Sequence, residues 1–219
     1  MTTRIYLVRH GATAEVAEDR FSGAIDVPLS DEGRGQARAL GERLRDQAIA
    51  AVYASPMSRT SETARLVSHG WNLDLKLSDG LREVGHGHWE GLRRREVEER
   101  FATEFAMWEQ DPFTFAPEGG ESGASVLARA LPAVRTIVDA HPDQNVLVVS
   151  HKATIRLILC GLLGIDARGY RDRLDQAPAC LNVIDFKDPV RARLVLFNDT
   201  SHYLSSPPPA HPHLSKWFG

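Results

Sequence analysis

Short apolar runs alternate along the chain with longer segments whose apolar residues recur three or four positions apart. Period-two and unbroken apolar runs predict strands, and the longer spacing predicts helices. Residues 5–8 form the first strand. Residues 30–45 predict a helix, with Ser30 as N-cap and Ala37, Leu40 and Leu44 on one face. A strand at 50–54 and a helix at 58–68, stopped by Gly70, follow. Residues 73–77 alternate as a half-exposed strand should. The Gly- and His-rich stretch 82–92 reads as a loop, 94–108 as one or two helices of an insert, and 112–123 as a second loop. A long helix over 125–140 is expected to be interrupted near Pro132. Residues 145–149 are the most apolar run and predict a central strand. A helix at 154–163, ended by Gly164, and strands at 181–186 and 192–197 complete the pattern. This β/α alternation predicts an α/β, three-layer sandwich with a mostly parallel central sheet. The expected organisation is a single domain over 1–204, a helical insert at about 93–121, and a Pro-rich tail over 205–219.

Composition narrows the field. The 219 residues are 42% hydrophobic and 25% charged, as in an ordinary globular protein with a real core. A net charge of −3 gives no bulk attraction for nucleic acid or an anionic membrane. No apolar run approaches the length of a bilayer span, and Met1-Thr2-Thr3-Arg4 enters a strand without room for a signal peptide. The two cysteines, Cys160 and Cys180, lie among apolar or small residues and read as buried free thiols. A cytoplasmic location is the resulting expectation.

Candidate chemistry gathers where strands end. The first strand runs into Arg9-His10-Gly11, and the run at 145–149 ends in Ser150-His151-Lys152. If both strands are parallel and central, both imidazoles emerge at the carboxyl edge of the sheet, where open α/β sheets bind ligands. Arg59 falls in the first turn of the helix after the second strand, and Glu83 follows the third. Two arginines, two histidines and one glutamate form a coherent set. Arg9, Arg59 and His151 hold the oxygens of a phosphoryl group, and His10 attacks phosphorus. Glu83 protonates the leaving alkoxide and then deprotonates water. His10 must be neutral to attack, and neighbouring arginines favour that state. Guanidinium groups supply the positive charge, so neither metal nor cofactor is called for.

Arg9-His10-Gly11 resembles the signature of the histidine phosphatase superfamily, the phosphoglycerate mutase-like proteins. Further motifs extend the resemblance over most of the chain: Phe21-Ser22-Gly23 with Pro28-Leu29-Ser30, Ser55-Pro56 through Arg59-Thr60, Leu81-Arg82-Glu83 with Gly87-His88-Trp89-Glu90-Gly91, Pro117 through Ser122, Val148 through His151, and Asn198 through His202. The resemblance implies a phosphohistidine on His10, a phosphate pocket of Arg9, Arg59 and His151, and Glu83 as proton donor. Ser22 and Gly23 are expected to touch substrate. Glu15-Val16, in place of the mutases' Trp-Asn, and Val84-Gly85 after Glu83 favour the phosphatase branch. Lys152 stands where the family usually has glycine, and is expected to read a second anionic group.

Blander assignments cover the rest. His86 and His88 lack a third ligand at metal spacing, Trp89 reads as packing, and Arg93-Arg94-Arg95 as a solvated helix start. The expectation is a metal-independent phosphomonoesterase acting on a small phosphorylated metabolite, with neither nucleic acid nor membrane as partner and a homodimer left open. Mutase-type phosphoryl transfer and a non-catalytic phospho-ligand-binding module are the alternatives.

Overall fold

The computed structural model describes residues 2–13 and 20–205, so Glu15-Val16 and most of the Pro-rich tail lie outside the described residues. The elements are β1 (Thr3–Arg9), α1 (Asp31–Leu44), β2 (Ile49–Ala54), α2 (Ser58–Val67), β3 (Leu75–Leu77), α3 (Arg94–Arg100), α4 (Ala102–Gln110), α5 (Gly123–Ala140), β4 (Asn145–Ser150), α6 (Lys152–Leu163), α7 (Tyr170–Arg173), β5 (Leu181–Phe186) and β6 (Ala192–Asp199). The sheet has six strands in the order β3-β2-β4-β1-β5-β6. Only β5 runs against the others: β1, β2, β3 and β4 pair in parallel, whereas β5 is antiparallel to both β1 and β6.

Period-two alternation within β1 sorts its side chains between two cores. Ile5 and Leu7 face α5 and α6, among Val134, Ile137, Ile155 and Ile158. Tyr6 and Val8 face α1 and α2, among Leu40, Leu44, Ala64 and Val67. Strands covered on both faces read as unbroken apolar runs, which is why 5–8 and 146–149 stand out in the sequence. Burying a Leu or Ile side chain contributes about 1.5–3 kcal/mol. The central strands are therefore the rigid floor from which the site is built.

Two sequence expectations need correction. Helix α5 is continuous through Pro132. Pro132 and Ala128, whose carbonyl loses its partner, both lie on the exposed face, where the unpaired carbonyl is open to solvent. The third strand is shorter than expected, because Asn72 adopts a left-handed φ of 53° and the chain joins the sheet only at Leu75. Among the described residues no helix is long and apolar enough to cross a membrane.

Candidate active site

Parallel pairing of β1 with β4 sets Arg9 opposite Ser150, so the next residue of each strand, His10 and His151, emerges beside the other. The His10 N–H donates to the Ser150 carbonyl at 3.0 Å, and the two rings lie edge to face with centroids 5.2 Å apart. His10 Nδ1 is 2.8 Å from the Gly11 carbonyl oxygen. A carbonyl only accepts, so Nδ1 carries the hydrogen and Nε2 keeps a lone pair. The loop beyond is fixed by Thr63 Oγ1, which accepts from the Gly11 N–H at 3.1 Å, and Gln36 Oε1, which accepts from the Ala12 N–H at 3.0 Å. Gly11 is required by close approach: a Cβ there would strike the Gly33 carbonyl at the start of α1.

Arg9 is 6% exposed and donates Nη1–H to the Gln176 carbonyl at 2.7 Å, while its buried Nε has no hydrogen-bond partner. Arg59, 3% exposed at the start of α2, donates to the carbonyls of Ile25 (2.8 Å), Gly23 (2.9 Å) and Ser22 (3.2 Å). Ser22 and Gly23 thus join the site through their backbone. A Cβ on Gly23 would collide with the Val84 carbonyl, so this loop packs directly on the Glu83 segment. The Arg59 Nε–H donates to His151 Nδ1 at 3.3 Å, which leaves His151 Nε2 as donor to Ser55 Oγ at 2.8 Å. Burial first, then Arg9 and Arg59, pushes His10 well below the usual histidine value. His151 is pushed the same way by burial, His10 and the two arginines. Both rings are therefore neutral at pH 7.

Glu83 does not pair with Arg82, which lies 3.9 Å from Asp79. Its carboxyl group caps the start of α6, accepting from the Ala153 N–H, the Thr154 N–H and Thr154 Oγ1, each at 3.1 Å. The field of Glu83 reaches both Arg9 and Arg59. Arg129 of α5 fixes the loop from behind, donating to the carbonyls of Gly80, Arg82 and Glu83 and to both oxygens of Glu121.

Beside Glu83 opens a cavity of about 250 Å³, bordered by Lys152, Arg156, Tyr170, Arg171 and Arg94 among others. Arg94 is not the solvated residue its charge run predicts. Its guanidinium lies 5.2 Å from the Trp108 ring centroid and that of Arg171 lies 4.7 Å from it, and Glu109 accepts from both. Trp89 is fully buried in the aromatic cluster beneath. His88 is 3.1 Å from Glu104, and His86 stands edge-on to Phe21. Among the described residues no group of three or more His, Cys, Asp or Glu is arranged to hold a metal ion. Sequence reasoning missed Arg156, Arg129, Thr154 and Asp175. Arg156 alone carried a signal, since it recurs four residues after Lys152 on one helical face.

A family model for the histidine phosphatase superfamily, branch 1, matches residues 5–200. The chain belongs to that superfamily. Among its histidine phosphatase relatives, phosphoserine phosphatase 1 of Hydrogenobacter thermophilus is 34% identical over 163 residues, covering 74% of this chain and 77% of the relative. The adenosylcobalamin/alpha-ribazole phosphatase of Salmonella typhimurium is 33% identical over 184 residues, covering 83% and 90%. The solved structure of Bacillus stearothermophilus YhfR superposes with a TM-score of 0.86 at 32% identity, covering 91% of this chain and 98% of that one. The six-stranded, mostly parallel sheet is the sheet of a phosphoglycerate mutase-like phosphatase.

Proposed function

We propose that this histidine phosphatase hydrolyses a small phosphomonoester through a phosphohistidine on His10, without a metal. The observation that carries the reading is the His10 ring, neutral, held through Nδ1 by the Gly11 carbonyl, and set between two buried guanidinium groups. In the first step the Nε2 lone pair attacks phosphorus, the P–O ester bond breaks, and the leaving alkoxide takes a proton from Glu83. In the second step water attacks phosphorus as Glu83 takes its proton, the N–P bond breaks, and inorganic phosphate leaves with His10 restored. Arg9, whose Nε lacks an internal partner, and Arg59 neutralise charge on the phosphoryl oxygens. A phosphoryl oxygen is a stronger acceptor than His151 Nδ1, and takes over the Arg59 Nε–H. The relatives named above act, by their names, on phosphoserine and on an alpha-ribazole phosphate, and a small phosphorylated metabolite fits the same reading. Cytoplasmic residence belongs with it, because both buried cysteines are free thiols.

The test is release of phosphate from p-nitrophenyl phosphate in the presence of a chelator, with wild-type and His10→Ala protein. Removal of a covalent nucleophile is expected to cost at least about four orders of magnitude in kcat. Labelled phosphate trapped on wild-type protein is expected to survive alkali and be lost in acid. Activity retained by His10→Ala, or abolished by the chelator alone, sinks the reading. Isomerised product in place of released phosphate, when a bisphosphorylated activator is added, would mark a mutase instead.

A further inference from the structure

We propose that Lys152 and Arg156 form a second anion subsite, which selects phosphomonoesters whose leaving alcohol carries a carboxylate or a second phosphate. The inference rests on the phosphatase reading of the same site. Lys152 and Arg156 stand four residues apart on one face of α6, and both border the 250 Å³ cavity that Glu83 also borders. Arg156 is 5% exposed, yet its Nε has no hydrogen-bond partner.

Counter-charge at this point is short. Arg156 Nη2 lies 3.3 Å and Lys152 Nζ 3.7 Å from the same oxygen, Oδ1 of Asp175. Arg9 acts electrostatically on both cations and is itself drawn to Asp175. Three cations thus draw on two carboxylates here, Asp175 and Glu83, and Asp175 alone is within ion-pair distance of Lys152 and Arg156. The cations across the cavity are supplied differently: Arg171 has both Asp172 and Glu109, and Arg94 has Glu109. Burial, with Arg9 and Arg156 close by, pulls Lys152 down to about 7 against the opposing pull of Asp175. A buried guanidinium such as Arg156, whose carboxylate is shared with a second cation, is costly, and an anion from the ligand offsets that cost.

Position and size define the ligand further. One phosphoryl group engages Arg9, so Lys152 and Arg156 remain for a different anion. Glu83, the proposed proton donor, shares their cavity, so a leaving group whose oxygen meets Glu83 extends toward them. A cavity of about 250 Å³ is below the ~300–1,000 Å³ typical of drug-sized ligands. The leaving group is accordingly small, and its anion lies a few bonds from the ester oxygen.

The experiment compares kcat/KM for three matched esters: glycerol 3-phosphate, 3-phosphoglycerate, and 1,3-propanediol bisphosphate. Wild-type protein is expected to favour at least one anionic ester over glycerol 3-phosphate by about tenfold or more, and the better of the two identifies carboxylate or phosphate as the group read. Lys152→Met is expected to collapse that ratio through KM, and Lys152→Arg to keep most of it. Equal rates for all three esters with wild-type protein overturn the proposal. So does a Lys152→Met protein that loses the same factor on each. Calorimetric binding of the three esters to His10→Ala protein, with and without Lys152→Met, supplies a readout that needs no turnover. Absence of hydrolysis by wild-type protein would count against the phosphatase reading, while the calorimetric ratio would still judge the subsite.

Discussion

Around the carboxyl ends of β1 and β4 most polar side chains are tied to main chain, while His151 is held between the Arg59 and Ser55 side chains. His10 meets the Gly11 carbonyl, Arg9 the Gln176 carbonyl, and Arg59 three carbonyls between Ser22 and Ile25. Across Glu83, the cavity wall is tied mainly by ion pairs between side chains. Lys152 and Arg156 share Asp175, and Arg94 and Arg171 share Glu109. Main-chain ties are set by the fold and leave each group one orientation. The half-exposed Lys152–Asp175 pair contributes only about 0–1 kcal/mol and can be exchanged without unfolding the protein. The difference separates two tasks: chemistry is fixed at the sheet edge, and selectivity is adjustable at the wall.

That contrast breaks if loss of a main-chain tie is tolerated. Arg59→Met removes the hold on the 22–25 loop and a guanidinium facing the phosphoryl group together. The expected fall in kcat/KM for p-nitrophenyl phosphate is about a thousandfold, at the upper end for one stabilising donor. A loss under tenfold would place Arg59 with the cavity wall, and the contrast would fail. Arg129→Met sharpens it from a distance. Arg129 holds the carbonyls of Gly80, Arg82 and Glu83, and its Glu121 partner accepts from the Gly85 N–H. Loosening Glu83 is expected to lower kcat about ten- to a hundredfold on an alkyl phosphate, which needs a proton for its leaving oxygen. The loss should be much smaller on p-nitrophenyl phosphate, whose leaving group departs as an anion. A general structural defect would lower both equally. Arg129→Lys should rescue little, because one ammonium cannot replace a bidentate fork.

Legibility in the sequence follows the same division. His10, His151 and Arg59 were readable because each follows an apolar strand within a few residues, and parallel strands must deliver such residues to one edge. The two faces of β1 were readable from simple alternation. Pro132 misled because its cost depends on whether the freed carbonyl faces water, which helical spacing alone does not reveal. Arg94 misled because a run of three arginines looks solvated until α4 brings Trp108 and Glu109 over it. Asp175 carried no signal at all: it lies between α7 and β5 and acquires meaning only when α6 brings Lys152 and Arg156 beside it. Pairs of distant side chains are fixed by packing, and a single sequence does not record them.

Proton linkage gives the two regions separate pH windows. His10 and His151 are held well below the usual histidine value, whereas an unfolded histidine titrates near 6.5. Below about pH 6.5 the unfolded chain therefore binds protons that these buried rings refuse. Their contribution to stability is complete above that pH and falls as the pH drops toward their folded values. Each ring adds a slope of about 1.4 kcal/mol per pH unit within the window. Lys152, pulled down to about 7 from an ordinary value of 10.5, acts elsewhere. Between those values the unfolded chain holds the extra proton, so the Lys152 contribution rises with pH, damped by the solvent that reaches its side chain. Denaturant unfolding of wild-type and His151→Asn protein from pH 5 to 6.5 should show the variant losing stability less steeply on acidification, by about one such slope. Lys152→Met should leave that difference intact and change the curve only above pH 7. Parallel wild-type and His151→Asn curves below pH 6.5 would mean that the second imidazole is protonated in the folded protein. The sheet edge would then already carry a third cation, and its distinction from the cation-rich wall would disappear.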